Sequence, residues 1–361
     1  MDAKNLRIAI IGAGRVAQHY KKMFDSPSVS RFEIVGVCDL ECKSANLLAN
    51  HWRCEAFTSI PVLLEKTHPD LVLVLTPSGM HFQHVKLALE ANCHVLVEKP
   101  ATMVPEDSYE LVKLANKNNL MLGVAFQNRL NPSIQCLSNA IDKHRFGQIT
   151  TATIRLRWCR FQDYYNDGWH GTWENDGGVI NQQAIHHLDA LNWLMGPVDS
   201  VCATIENRIN DLEAEDTMVA IMRFKNGSLG TIEATTAARP RDFEASLSIV
   251  GEGGVAVVGG VGLNQVETWE FVVPEPGDST VKSDFSTDVP NGYGLSHGPL
   301  LQATINTLLD GKIYAPVSVE NSISTNELVH ALYRSVETGG WINLKDNPIS
   351  SKLGKGKNND N

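Results

Sequence analysis

The sequence predicts an α/β chain in two parts. The first is a parallel sheet with helices on both faces. The second is an α+β part with a large, mostly antiparallel open sheet. Three observations lead there. The first 125 residues alternate strand-like runs with helical patterns, as parallel strands joined by crossover helices do. After Asn131 long alternating runs take over, as in an antiparallel sheet with one packed and one open face. The length, 361 residues, exceeds what one core usually serves.

Apolar, β-branched runs occur at Leu6–Ile11, Ile34–Cys38, Leu71–Leu75, His94–Val97 and Met121–Val124. Helical spacing lies between them at Met80–Ala91 and Glu106–Asn116. A further helix is expected over Pro132–Lys143, with Asn131 as its cap and Pro132 at its first position. The later strands are Ile149–Trp158, Thr217–Phe224, Ser228–Thr235 and Ala245–Val250, and Asn226-Gly227 marks a hairpin. Pro299–Leu309 and Glu320–Glu337 read as helices. The expected boundaries are 1–125, 126–345 and a disordered Lys/Asn/Gly-rich tail over 346–361.

Charge and cysteine usage narrow the function. A net charge of -10 argues against a nucleic-acid partner while leaving room for a local basic pocket. No signal-peptide pattern or membrane-spanning run is seen, and the seven cysteines form no CxxC pair. Reduced thiols and a cytoplasmic location are expected, with no membrane partner.

Leu6–Ile11 runs into Gly12-Ala13-Gly14-Arg15-Val16-Ala17, a G-x-G-x-x-A turn between strand and helix. Gly12 allows the tight turn, Gly14 admits a pyrophosphate, Ala17 keeps helix and strand close, and the helix start at Arg15 and Val16 faces the phosphates. The next strand ends at Asp39, 25 residues beyond Gly14. A carboxylate there holds ribose hydroxyls and repels a 2′-phosphate, so NAD is the expected cofactor. Two further strand ends carry polar groups: Thr76-Pro77-Ser78-Gly79-Met80-His81 and Glu98-Lys99-Pro100. Ligands bind beyond the carboxyl ends of such strands. Lys99 there can polarise a hydroxyl or help take its proton; the alternative is a surface lysine. His81 can meet the cofactor or sit in the crossover. Gln127-Asn128-Arg129 follow the last strand of this part. Gln127 is assigned to the cofactor, and Asn128 and Arg129 to the substrate.

Arg155 to Asp189 is the densest stretch, with Arg157, Trp158, Arg160, Tyr164, Tyr165, Trp173, Gly177-Gly178, Gln182, His186, His187 and Asp189. A helix from about Val179 places Gln182, His186 and Asp189 on one face. A His behind an orienting amide suits a general base. A metal reading of the paired His and the Asp lacks a third clear ligand, so no metal is expected.

G-x-G-x-x-A, the second-strand Asp, T-P-x-x-x-H, E-K-P and G-G-x(7)-H-H-x-D together resemble the Gfo/Idh/MocA oxidoreductases over nearly the whole chain. The resemblance implies a Rossmann domain followed by an α/β domain, hydride transfer at a sugar or polyol carbon, and Lys99 and His186 as the catalytic pair. Relatives have an Asp where this chain has Gln182, so an Asp–His dyad is absent. R-W-C-R-F-Q-D-Y-Y, G-W-H-G-T-W-E-N-D-G-G and G-Y-G-L-S-H-G-P-L are similar to the UDP-N-acetylglucosaminuronate 3-dehydrogenase branch. That similarity implies oxidation of a 3-hydroxyl on a UDP-linked sugar for surface-polysaccharide biosynthesis. Arg157 and Arg160 can fork onto its anionic groups, and Tyr164, Tyr165 and Trp173 offer ring faces. The alternatives are a solvated sheet face or subunit salt bridge for the arginines, and packing for the rings. His297 can be a loop ligand or a plain helix start. Other readings keep the fold with another sugar, polyol or keto-sugar, or make the chain a non-catalytic NAD sensor. An open sheet needs cover, so a homo-oligomer, dimer or tetramer, is expected.

Overall fold

The computed structural model describes residues 5–355. They form two compact units. Unit 1 holds the chain up to Phe126 together with Ser296–Ile323; unit 2 holds Gln127–Leu295 and the chain from Ser324.

Unit 1 begins β1 (Leu6–Ile11), α1 (Arg15–Phe24), β2 (Phe32–Cys38), α2 (Cys42–Trp52), β3 (Glu55–Phe57) and α3 (Ile60–Thr67). It continues β4 (Leu71–Val74), α4 (His81–Glu90), β5 (His94–Val97), α5 (Pro105–Lys117) and β6 (Leu122–Val124). The six strands pair in parallel in the order β3-β2-β1-β4-β5-β6. Chain direction across the sheet reverses between β1 and β4, the switch point beyond which doubly wound sheets bind ligands. The strands are short and apolar because both faces are covered; every residue of β4 is buried. α5 starts on Pro105, with Glu106 and Asp107 in its first turn, where the helix dipole favours them.

Unit 2 contains α6 (Pro132–Asp142), β7 (Ile149–Arg157), α7 (Val179–Gln182), α8 (Ile185–Met195), β8 (Val198–Glu206), β9 (Thr217–Phe224) and β10 (Leu229–Thr235). β11 (Glu244–Gly251), β12 (Gly254–Gly259), β13 (Gln265–Phe271) and the single turn α9 (Val281–Asp284) follow. The chain then enters unit 1 for α10 (His297–Leu309), whose Leu301 and Ile305 join the core around β1 and α1. It ends in unit 2 with α11 (Ile323–Thr338) and β14 (Ile342–Asn343).

The eight strands run β13-β12-β11-β7-β10-β9-β8-β14, antiparallel except for β7 beside β10. β9 alternates strictly: Met218, Ala220, Met222 and Phe224 are buried, whereas Val219, Ile221 and Arg223 are exposed. α6, α7 and α8 pack on the sheet, and α8 lies against β7 and β11. The hairpin at Asn226-Gly227 joins β9 to β10, with Arg223 opposite Leu229.

Four expectations need correction. Asn131 stands at the N-cap of α6, but its side-chain amide donates to the Gly262 and Leu263 carbonyls instead of the helix end. The helix from Val179 is broken at Gln183-Ala184, so Gln182 ends α7 and His186 lies in the first turn of α8. Residues 296–323, read as part of the second domain, pack in unit 1, because α10 offers its apolar side to β1 and α1. The segment read as a disordered tail is ordered as far as it is described. Ser350 and Leu353 are fully buried, the Ser350 N–H donates to His330, and Leu353 lies under Gly177. Residues 356–361 lie outside the described residues.

Leu353 is therefore core despite its polar surroundings in sequence. Leu353→Ala is expected to cost about 2–5 kcal/mol in denaturant unfolding.

Candidate active site

The turn after β1 is shaped by one glycine. Gly12 has φ of +98°, and a Cβ there would meet the Leu75 carbonyl carbon and oxygen at 2.7 Å. Only glycine fits, in conformation and in space. Gly14, at the N-cap of α1, has no atom within 4 Å of where its Cβ would stand. Asp39 locks onto this turn: its carboxylate accepts the Ala13 N–H at 2.7 Å and the Glu41 N–H at 2.8 Å. The Asp is thus held beside the first N–H groups of α1. Arg15 is exposed, Val16 half-buried and Ala17 fully buried. This arrangement fits a dinucleotide without a 2′-phosphate.

Beyond β4 and β5 the two polar loops are stapled together. His81 is 1% exposed, and its ring lies 2.8 Å from the Thr76 carbonyl and 2.7 Å from the Pro100 carbonyl. Burial lowers its pKa to about 4, against the pull of these two carbonyls, so the ring is neutral at physiological pH. Thr76 also bonds His84 at 3.0 Å. Glu98 is buried; its carboxylate accepts the Tyr20 hydroxyl at 2.9 Å and the Lys99 N–H at 3.2 Å. Burial raises the Glu98 pKa, against the nearby Lys99 charge and the Tyr20 bond. His297 is the buried first residue of α10, 3.8 Å from Glu98 and 3.3 Å from His19. It belongs to this cluster in unit 1. Lys99 itself is half-buried.

In unit 2, Gln182 and His186 are half-buried, on either side of the break between α7 and α8. The aromatic stretch comes to the same break. The Gln183 amide donates to the Tyr164 hydroxyl at 3.4 Å, and Trp158 stands edge-on to His187 at 5.8 Å. Burial lowers the His187 pKa to about 4, so this ring is neutral. Arg160 lies over the Trp158 and Tyr164 rings at 5.2 and 5.6 Å and pairs with Asp242 at 3.0 Å. Tyr165 is buried, with its hydroxyl 2.7 Å from Thr236. His170, which sequence reasoning passed over, is also buried. It packs on Tyr164 and Trp169 and bonds Asp167 at 2.5 Å. The G-W-H-G setting was the signal that could have found it.

Other expected site residues are engaged within the chain. Arg157 alternates away from the buried Leu156 and lies on the sheet face opposite α8. It forks onto Glu233 at 2.7 and 2.8 Å and reaches Glu244 at 3.0 Å. Asn128 is buried, and the buried Arg129 forks onto Asp189 at 2.7 and 2.8 Å. Asp189 thus faces the interior, not the His186 surface. Gln127 is buried next to them in sequence. Trp173 packs edge-on to Tyr333 at 5.1 Å and beneath Lys352. Among the described residues no cluster of three or more His, Cys, Asp or Glu is arranged to hold a metal ion, and no helix is long and apolar enough to cross a membrane.

A 3-2-1-4-5-6 sheet with a carboxylate on its glycine turn, joined in sequence to an open antiparallel sheet, defines a nicotinamide-dependent oxidoreductase fold. The chain belongs to the Gfo/Idh/MocA oxidoreductase family. The family's NAD-binding Rossmann fold matches residues 6–126, and its C-terminal alpha/beta domain matches residues 138–344. It is a sugar dehydrogenase of that family with NAD as cofactor. Among solved structures it is similar to the WlbA dehydrogenase from Bordetella pertussis in complex with NADH and UDP-GlcNAcA. That match has 32% identity and a TM-score of 0.89, covering 95% of this chain and 99% of that one. It is 29% identical to D-glucoside 3-dehydrogenase of Escherichia coli over 95% of this chain and 99% of the relative. It is 31% identical to UDP-N-acetylglucosamine 3-dehydrogenase of Acidithiobacillus ferrooxidans over 65% of this chain and 68% of the relative.

The carboxylate of Asp39 on the glycine turn predicts a preference between the two dinucleotides. Asp39→Ala is expected to reduce the preference for NADH over NADPH about tenfold or more, roughly 1.4 kcal/mol, in fluorescence titrations of the two reduced cofactors.

Proposed function

We propose that the protein oxidises the 3-hydroxyl of a UDP-linked N-acetylhexosaminuronate to a 3-keto sugar with NAD. The observation that carries this reading is the likeness, over 95% of the chain, to a dehydrogenase whose complex holds NADH and UDP-GlcNAcA. The Gly12–Gly14 turn, Arg15, Val16 and Asp39 hold the dinucleotide, with Thr76, Pro77, Glu98, Lys99 and Gln127. The buried His81 acts through the two loops it joins. NAD, when bound, takes the hydride from the sugar carbon. Lys99 and His186 serve the hydroxyl proton, Lys99 by its positive charge and His186 as the base. Gln182 orients His186 without relaying a proton, because an amide cannot titrate at working pH. Tyr164 presents its ring to the sugar, and Arg160, already over that ring, borders it. A second copy of the chain covers the exposed Val219, Ile221 and Leu229 on the open sheet face.

A second reading is a glycoside without the nucleotide, oxidised at the same carbon. Arg157 favours it: it is paired with two acids of its own chain, so it does not stand ready for a uronate or a diphosphate.

The test offers UDP-N-acetylglucosaminuronate, UDP-N-acetylglucosamine and simple glucosides to the enzyme with NAD and a 2-oxo acid acceptor. It follows NADH absorbance and the keto sugar by mass. Turnover confined to the uronate supports the first reading, and turnover of glucosides alone replaces it with the second. Lys99→Ala and His186→Ala are each expected to lower kcat by about 100-fold or more while NADH still binds. Full turnover in both variants overturns the catalytic assignment.

A further inference from the structure

The carboxyl of Glu215 is enclosed in unit 2, and the proposed chemistry does not use it. It is 1% exposed and stands just before β9. Its Oε1 accepts the Ile180 N–H at 3.1 Å and the Tyr333 hydroxyl proton at 3.1 Å. The Tyr333 oxygen in turn accepts the Gly178 N–H at 3.0 Å. The Glu215 backbone carbonyl accepts the Val179 N–H at 2.9 Å. Three successive amide groups at the start of α7 are therefore bound by one residue and its tyrosine partner. These donors have no intrahelical acceptors of their own. Gly178 is required here: a Cβ would collide with the Glu215 carboxyl carbon and Oε2.

We infer that Glu215 is a positioning residue. It fixes the N-terminus of α7 and so sets Gln182, at the end of that turn, and His186, four residues on. The inference rests on the assignment of His186 under the proposed function. α7 is a single turn and has little stability of its own. Its placement depends on what holds its first amides. Tyr333 from α11 adds a rigid, fully buried anchor to the same point.

The chemistry of the site asks for a neutral acid. Burial raises the Glu215 pKa to about 8, against the pull of the Ile180 and Tyr333 bonds, and the nearby Asp176 carboxylate adds to the rise. Asp176, from the segment before α7, and Tyr333, from α11, are the titratable groups that face it. A carboxyl whose folded pKa is raised favours the folded state below its ordinary range. That contribution is lost as pH rises from about 4.5 through about 8. Ionisation would place an enclosed negative charge beside Asp176, and the start of α7 is what would give way.

The experiment uses the full-length protein with Glu215→Gln, Glu215→Ala and Tyr333→Phe. Hydrogen exchange of the 178–187 amides, which needs no substrate, reads the positioning. kcat from pH 6 to 10 on whichever sugar turns over reads its consequence. Glu215→Ala is expected to speed exchange in that segment selectively. It should also lower kcat about tenfold or more at unchanged NADH affinity. Tyr333→Phe gives a smaller effect of the same kind. Glu215→Gln keeps an acceptor without titrating. It should recover most of what alanine loses and lack the wild-type fall in kcat and thermal midpoint above pH 8. Unchanged exchange in Glu215→Ala, or identical pH profiles for wild type and Glu215→Gln, overturns the inference. If no sugar turns over but exchange responds as expected, the proposed function fails and the positioning stands.

Discussion

Unit 2 turns on a buried ion pair. Asp189, 1% exposed in the middle of α8, accepts two bonds from the fork of Arg129 and a third from the Thr325 hydroxyl of α11. Removing two charges from water is expensive, and the attraction repays it only when geometry is good and the remaining lone pairs are satisfied. Both conditions hold. The pair fastens α8 to the segment before α6 and to the first turn of α11. α8 then carries the half-buried His186 three residues before Asp189, while Leu188, Ala190 and Leu191 fill the core. Losing either partner would strand the other charge, so helix and loop stand or fall together.

The same low-dielectric logic governs the remaining enclosed titratable groups. His81 and His187 are pushed down by burial, whereas Glu98 and Glu215 are pushed up. In each case the neutral form is favoured because water is absent. The effect is opposite in sign for bases and acids. Other enclosed carboxyl groups are met by a fork or by several donors. Asp189, with the fork of Arg129, is one such group. Asp216, buried and accepting the N–H groups of Arg208, Ile209 and Asn210, is another.

Much of the fold was legible. Alternation of strand and helix, read from runs such as Leu71–Leu75 and His94–Val97, fixed the parallel sheet, because such runs are buried on both faces. The Gly12 turn and Asp39 were legible for the same reason: the motif lies within one βαβ unit, so spacing along the chain reports spacing in the fold. Short elements such as β3 and α3 were missed, having too few residues for a period to show. Long-range partnerships were not legible at all. Nothing near Asp189 in sequence announces Arg129, 60 residues earlier, and nothing near Gly178 announces Glu215 or Tyr333. The break between α7 and α8 was hidden too. Val179–Met195 has continuous helical spacing, so nothing in it marks the end of α7 at Gln182.

The arginines of β7 show how register decides function. Strand alternation puts Arg155 and Arg157, two residues apart in β7, on one sheet face. What it could not see is that β11 sets Glu244 directly opposite Arg157, and that β10 sets Glu233 beside Arg155. Cross-strand pairs of opposite charge stabilise a sheet modestly, and these are partly exposed, so each is worth little. Their effect on recognition is larger than their energy. An anionic substrate approaching Arg157 would have to displace two carboxylates of the same chain, and would meet the face turned away from α8. Under the proposed function, recognition beside His186 falls to the ring of Tyr164 and to Arg160, whose single acid partner leaves part of its fork for other acceptors. A sugar held mainly by ring faces is selected by shape and hydroxyl pattern more than by charge.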